Sequence, residues 1–126
     1  MTKTHLLWNL DNKAPSNISS PLVVGGRLFV VKKLGFSASF DTQSGDKIWM
    51  NKRIDNLGDY YASPIAGDGK TYVTGNNSYI VVLKQGPKPV ILAKNDMGSS
   101  CVATPAIADG RLYVRTLKTL YCLSED

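Results

Sequence analysis

The chain has 126 residues, 43% hydrophobic and 20% charged, a balance that suits one globular domain and excludes a disordered or fibrous chain. Its longest apolar runs, such as Ile80-Val81-Val82-Leu83, fall far short of the roughly 18 residues of a membrane-spanning helix. Fifteen Lys and Arg against ten Asp and Glu give a net charge of +5, but the basic residues stand singly apart from Lys32-Lys33 and Lys52-Arg53. The continuous basic stripe that nucleic-acid binding wants is therefore absent, and no nucleic-acid partner is expected.

In chain order, the start lacks an apolar core followed by a small-residue cleavage site, so no secretory signal is expected on the chain as given. His5 is the only histidine, too few for a histidine-based triad or a multi-histidine metal site. Leu6-Leu7-Trp8-Asn9-Leu10 then reads as a strand. Three segments that superpose follow: Ser20-Pro21-Leu22-Val23-Val24-Gly25-Gly26, Ser63-Pro64-Ile65-Ala66-Gly67-Asp68-Gly69 and Thr104-Pro105-Ala106-Ile107-Ala108-Asp109-Gly110. Their prolines lie 43 and 41 residues apart. The chain is a tandem array of three units, about 11–51, 52–93 and 94–126, within a single domain spanning 1–126.

Each unit is expected to be a four-stranded antiparallel sheet. A short strand follows the Ser/Thr-Pro, and Gly26, Gly69 and Gly110 close two-residue hairpin turns of type I′, which demand positive φ. Return strands rich in β-branched and aromatic residues follow (Leu28-Phe29-Val30, Thr71-Tyr72-Val73, Leu112-Tyr113-Val114), and third strands end at Phe40, Leu83 and Leu123. Fourth strands are carried by Lys47–Met50, by Pro89–Ala93 and, at the start of the chain, by Leu6–Leu10. No stretch holds a 3.6-residue apolar stripe, so helix is nearly absent. Four strands every 40 to 45 residues is the signature of a propeller blade, and the fold class is all-β, three four-stranded antiparallel blades.

Two further pairs of residues stand out. Trp8 and Trp49 each offer a large apolar face with one N–H, suited to docking neighbouring blades. Cys101 and Cys122 have no metal-ligand spacing. With one strand between them they stand about 9–10 Å apart, too far for a bridge, so free thiols are expected.

Asp41-Thr42-Gln43-Ser44-Gly45-Asp46-Lys47-Ile48-Trp49, followed by Ser63-Pro64-Ile65 and Gly69-Lys70-Thr71-Tyr72-Val73, resembles the pyrroloquinoline-quinone-like (PQQ-like) propeller repeat, a WD40-like architecture. The second unit departs from it, with Gln85-Gly86-Pro87-Lys88-Pro89 and Leu92 in place of the turn and Trp, and the third stops at Ser124-Glu125-Asp126. The resemblance implies the fold. It also implies a choice of function: quinone-dependent oxidoreductases carry cofactor and calcium in the funnel of a large ring, whereas other members are non-catalytic scaffolds. Three units cannot supply that funnel, and the vicinal cysteine pair of the alcohol-oxidising members is missing, so no cofactor, metal or catalytic residue is expected. The resemblance tilts localisation towards the cell envelope.

Propellers close with typically four to eight blades, so three blades leave apolar faces in water. Ring closure through a homo-oligomer is expected, a six-bladed homodimer ahead of a homotrimer, with strand exchange between copies through Leu6, Trp8, Leu120 and Cys122. A piece of a longer propeller is the alternative origin. The function expected is an interaction module that binds an unidentified protein or peptide, the alternative being a subunit or fragment of a quinone-dependent oxidoreductase. Polar candidates for the loops or funnel are Asp59, Tyr60, Tyr61, Asn76, Asn77, Arg115 and Lys118.

Overall fold

The structure, a computed structural model, describes residues 7–8, 19–32, 35–54, 62–75, 77–101 and 103–124. Among these no α-helix occurs, and eleven strands form three antiparallel sheets. The first sheet runs β1 (Leu22–Val24), β2 (Arg27–Val31), β3 (Phe36–Asp41), β4 (Lys47–Arg53) in spatial order. The second runs β5 (Ile65–Gly67), β6 (Lys70–Thr74), β7 (Tyr79–Lys84), β8 (Val90–Asp96). The third holds three strands, β9 (Ala106–Ala108), β10 (Arg111–Arg115) and β11 (Leu120–Ser124), with β10 central.

The first hairpin of every sheet has a two-residue loop with both φ positive: Gly25 59° and Gly26 75°, Asp68 53° and Gly69 72°, Asp109 52° and Gly110 73°. The loops sit between the register pairs Val24↔Arg27, Gly67↔Lys70 and Ala108↔Arg111. That left-handed pair matches the twist of the flanking strands, which fixes the pairing and hence which face each side chain takes.

Successive sheets pack face to face. Phe29, Val31 and Trp49 of the first sheet bury against Val73, Val81 and Leu83 of the second. On the other face of the second sheet, Tyr72, Ile80 and Met97 meet Cys101, Val114, Tyr121 and Leu123. A third cluster, Val30, Ala38 and Phe40, occupies the remaining face of the first sheet. The short first strands are neighbours, β1 beside β5 and β5 beside β9, so they line one rim of an arc that stays open.

The third sheet holds three strands, its fourth being the one expected from the strand at the start of a chain, and no strand pairs with the far edge of β11 among the described residues. The expectation for that starting strand needs correction. Of the strand expected over Leu6–Leu10, Leu6, Asn9 and Leu10 lie outside the described residues, and Leu7 and Trp8 are not in a strand. The physical reason is that a strand needs a partner edge. Trp8 is held on a turn of the first sheet, two sheets away from the open edge of β11.

Candidate functional site

The joints between sheets are built from three kinds of contact, and the ends of the arc show what each joint lacks when its neighbour is missing. At the inner rim, the N–H of Ser20 donates to Ser63 Oγ at 2.9 Å, and the N–H of Ser63 donates to Thr104 Oγ1 at 2.9 Å. Each donor is the residue before the proline of its unit, so the same backbone group crosses to the same hydroxyl one unit on. Ser63, between two neighbours, is half-buried, whereas Ser20 and Thr104, at the two ends, are exposed. Read from the sequence, these residues are only strand markers. The hydroxyl recurring before the three repeat prolines, Pro21, Pro64 and Pro105, is the signal that could have revealed the relay.

Trp49 lies 9% exposed in the first joint, where its ring meets Phe29 at 6.0 Å between centroids and its Nε1 donates to Ser37 Oγ at 3.0 Å. Ser37 Oγ in turn donates to the Lys52 carbonyl, so the indole is tied into its own sheet. Trp8 is held differently: its Nε1 donates to the carbonyl of Thr42 at 2.9 Å, and its ring lies flat on Gly45, where a Cβ would come within 2.6 Å of the indole. Gly45 has φ 77° and Asp41 Oδ1 accepts from the N–H groups of Gln43 and Ser44, so this turn is shaped to receive an indole. Backbone donors from Ser44 and Gln43 hold the Asp41 carboxyl below its ordinary value of 3.8.

Register places Trp49 opposite Ser39, and the corresponding pair in the second sheet is Ala93 opposite Val82. Thus Ala93, rather than Leu92, stands where Trp49 does. The loss of the indole there, together with the missing fourth strand of the third sheet, opens a cleft of about 820 Å³ between the second and third sheets, lined by Tyr72, Leu92, Ala93, Ile107, Leu112 and Leu123. The first joint, filled by Trp49, keeps a void of only about 20 Å³.

The outward face of the third sheet carries Tyr113, Arg115, Leu120 and Cys122. Leu120 is 72% exposed, and Arg115 and Cys122 are exposed. Their counterparts by register, Phe29, Val31, Ser37 and Ser39 in the first sheet, are buried under the second sheet. Cys101 is buried in the second joint, where desolvation and then the Asp96 charge push its thiol up, and both cysteines are free.

Of the polar loop candidates, Asn77 lies in the β6–β7 turn, Lys118 in the β10–β11 turn and Arg115 at the end of β10. The buried Thr116 organises that last turn, its Oγ1 accepting from the N–H groups of Lys118 and Thr119. Asp59, Tyr60, Tyr61 and Asn76 lie outside the described residues, as do His5 and Leu6. Among the described residues no three of His, Cys, Asp and Glu come together as a metal-holding group.

No protein-family model matches the chain, and no curated protein matches it. Solved structures do. BamB from Moraxella catarrhalis is similar over 82% of this chain and 32% of its own length, with a TM-score of 0.64 at 19% identity. A quinohemoprotein alcohol dehydrogenase from Pseudomonas putida is similar over 81% of this chain and 17% of its own, with a TM-score of 0.63 at 14% identity. The quinohemoprotein alcohol dehydrogenase from Comamonas testosteroni gives a TM-score of 0.62 at 17% identity over the same shares, 81% and 17%. The chain therefore has the PQQ-like β-propeller fold, all-β and open, and spans about a third or less of the structures it matches.

Proposed function

We propose that this chain is a non-catalytic propeller module, an interaction scaffold that completes its ring by assembling with a second copy. The observation that carries the reading is the bare outward face of the third sheet: the positions held by Leu120 and Cys122 there are buried beneath a neighbour in the first sheet, as Ser37 and Ser39. Exposed sheet faces and open strand edges of this kind demand a partner. The polar groups described above organise turns instead of converging on one point, which supports a binding role over a catalytic one.

Size exclusion with light scattering tests the reading. A mass twice the 13.7 kDa of the chain is expected. A threefold mass would keep self-assembly and replace the dimer by a trimer, and a stable monomer would overturn self-assembly. Dye-linked oxidation of an alcohol or of glucose by the purified protein supplied with quinone and calcium would overturn the non-catalytic part.

A further inference from the structure

The rim hydrogen bond recurs in both internal joints, and it has a direction. The N–H before the proline donates forward, from Ser20 to Ser63 and from Ser63 to Thr104. At the hairpin strands of the second joint a further contact runs backward: Ile107 of β9 packs on Gly67 of β5, so close that a Cβ on Gly67 would lie 2.7 Å from its Cδ1. Carried one unit on, these contacts leave a complementary set of groups at the two ends of the arc. At the third-sheet end, Thr104 N–H is the next donor, and it has no partner among the described residues. Ala108, the counterpart of Gly67, is exposed there. At the first-sheet end, Ser20 is exposed, and Val23, the counterpart of Ile107, is 63% exposed with no neighbouring strand on that side among the described residues.

We propose that two copies join head to tail, the first-sheet end of one seated on the third sheet of the other. In this joint Thr104 N–H donates to Ser20 Oγ of the second copy and Val23 of the second copy packs on Ala108; the first-sheet face that seats on Tyr113, Leu120 and Cys122 carries Val30, Ala38 and Phe40, which are already buried in the single chain, so assembly exchanges their present cover for the third sheet of the other copy. The inference rests on the self-assembly proposed above and adds its polarity and its residues. Its hydrogen bond continues one present in both internal joints, and its apolar contact continues the one seen in the second joint. Such a joint is heterologous, and two of them close a dimer in which both ends of each chain are used.

The test uses the full chain with Cys122→Ser, a change patterned on Ser39, which is buried at the corresponding place. Chains carrying Ser20→Cys and chains carrying Thr104→Cys are refolded together and treated with a short bis-maleimide. An intrachain cross-link in a Ser20→Cys, Ser63→Cys chain, whose sites bond within one molecule, shows that the reagent spans this geometry. A covalent dimer is expected only when the two single variants are mixed. Cross-linking within the Ser20→Cys sample alone would mean a symmetric face-to-face contact and would overturn the polarity while self-assembly stood. A dimeric mass without the mixed cross-link would overturn the proposed pairing, and a monomeric mass would overturn the assembly reading itself. As a second readout, Val23→Asp changes a side chain already exposed in the single chain, so the circular dichroism should hold while association weakens about tenfold or more. Unchanged association in a folded Val23→Asp chain would also sink the pairing.

Discussion

A missing Cβ means different things at Gly45 and Gly67, although the gaps are nearly equal. A methyl group at Gly45 would meet the Trp8 indole at 2.6 Å, and one at Gly67 would meet Ile107 Cδ1 at 2.7 Å. The indole is a rigid ring pinned by its bond to the Thr42 carbonyl, and Gly45 itself needs φ 77°. Ile107 presents the end of a rotatable chain that is 37% exposed, so it can turn aside. Gly45→Ala should therefore cost about 2–3 kcal/mol from overpacking and left-handed strain together, whereas Gly67→Ala should cost about 1 kcal/mol or less. Urea unfolding of both variants measures this. Equal losses would show that the indole yields as easily as the isoleucine.

At the scale of elements, carboxylates shape the segments that follow strands. Asp41 caps the β3–β4 turn, and Asp96, at the end of β8, accepts from Gly98 N–H and Ser78 Oγ. Both carboxyls are held below their ordinary value of 3.8, Asp41 by the backbone of Ser44 and Gln43, Asp96 by the backbone of Gly98 and then the Ser78 hydroxyl. A depressed folded value means the contribution is fully present above 3.8 and is lost as pH falls through the lower folded values. A carboxyl-carbon NMR titration should place both midpoints below those of the urea-unfolded chain. Coincident folded and unfolded midpoints would refute the capping.

These same segments show how far the residues alone can be read. Hairpins were legible because Gly-Gly and Asp-Gly state their turn type directly. The outer strands are longer than expected: β4 runs to Arg53 and β8 to Asp96, beyond the expected ends at Met50 and Ala93. Their last residues are charged or polar, which reads as loop, yet an outermost strand has solvent beside it and tolerates them. Arg53 over Phe36 at 5.3 Å and Lys94 over Tyr79 at 4.6 Å hold those ends to the next strand. The Ala93 position escaped notice because a bulge between Val82 and Leu83 shifts the register by one, and periodicity cannot see a bulge.

For the whole molecule, the proposed assembly ties stability to association. The first and second sheets share a buried joint, and so do the second and third, but the outer face of the third sheet contributes nothing until something covers it. If a second copy covers it, unfolding is coupled to dissociation, and the melting temperature should rise with protein concentration. Calorimetry across a hundredfold dilution series checks this, and a melting temperature independent of concentration would argue for an arc stable by itself.

The rim relay from Ser20 to Ser63 to Thr104 has an evolutionary consequence. At the rim, each joint uses a hydroxyl before a proline and a matching backbone N–H from the preceding unit. A lineage could therefore duplicate or delete a whole unit without inventing a new rim bond, because any copy already carries both halves of that connector. Blade number can then drift while the rim bond stays the same and the apolar filling of each joint changes, as Trp49 and Ala93 already show.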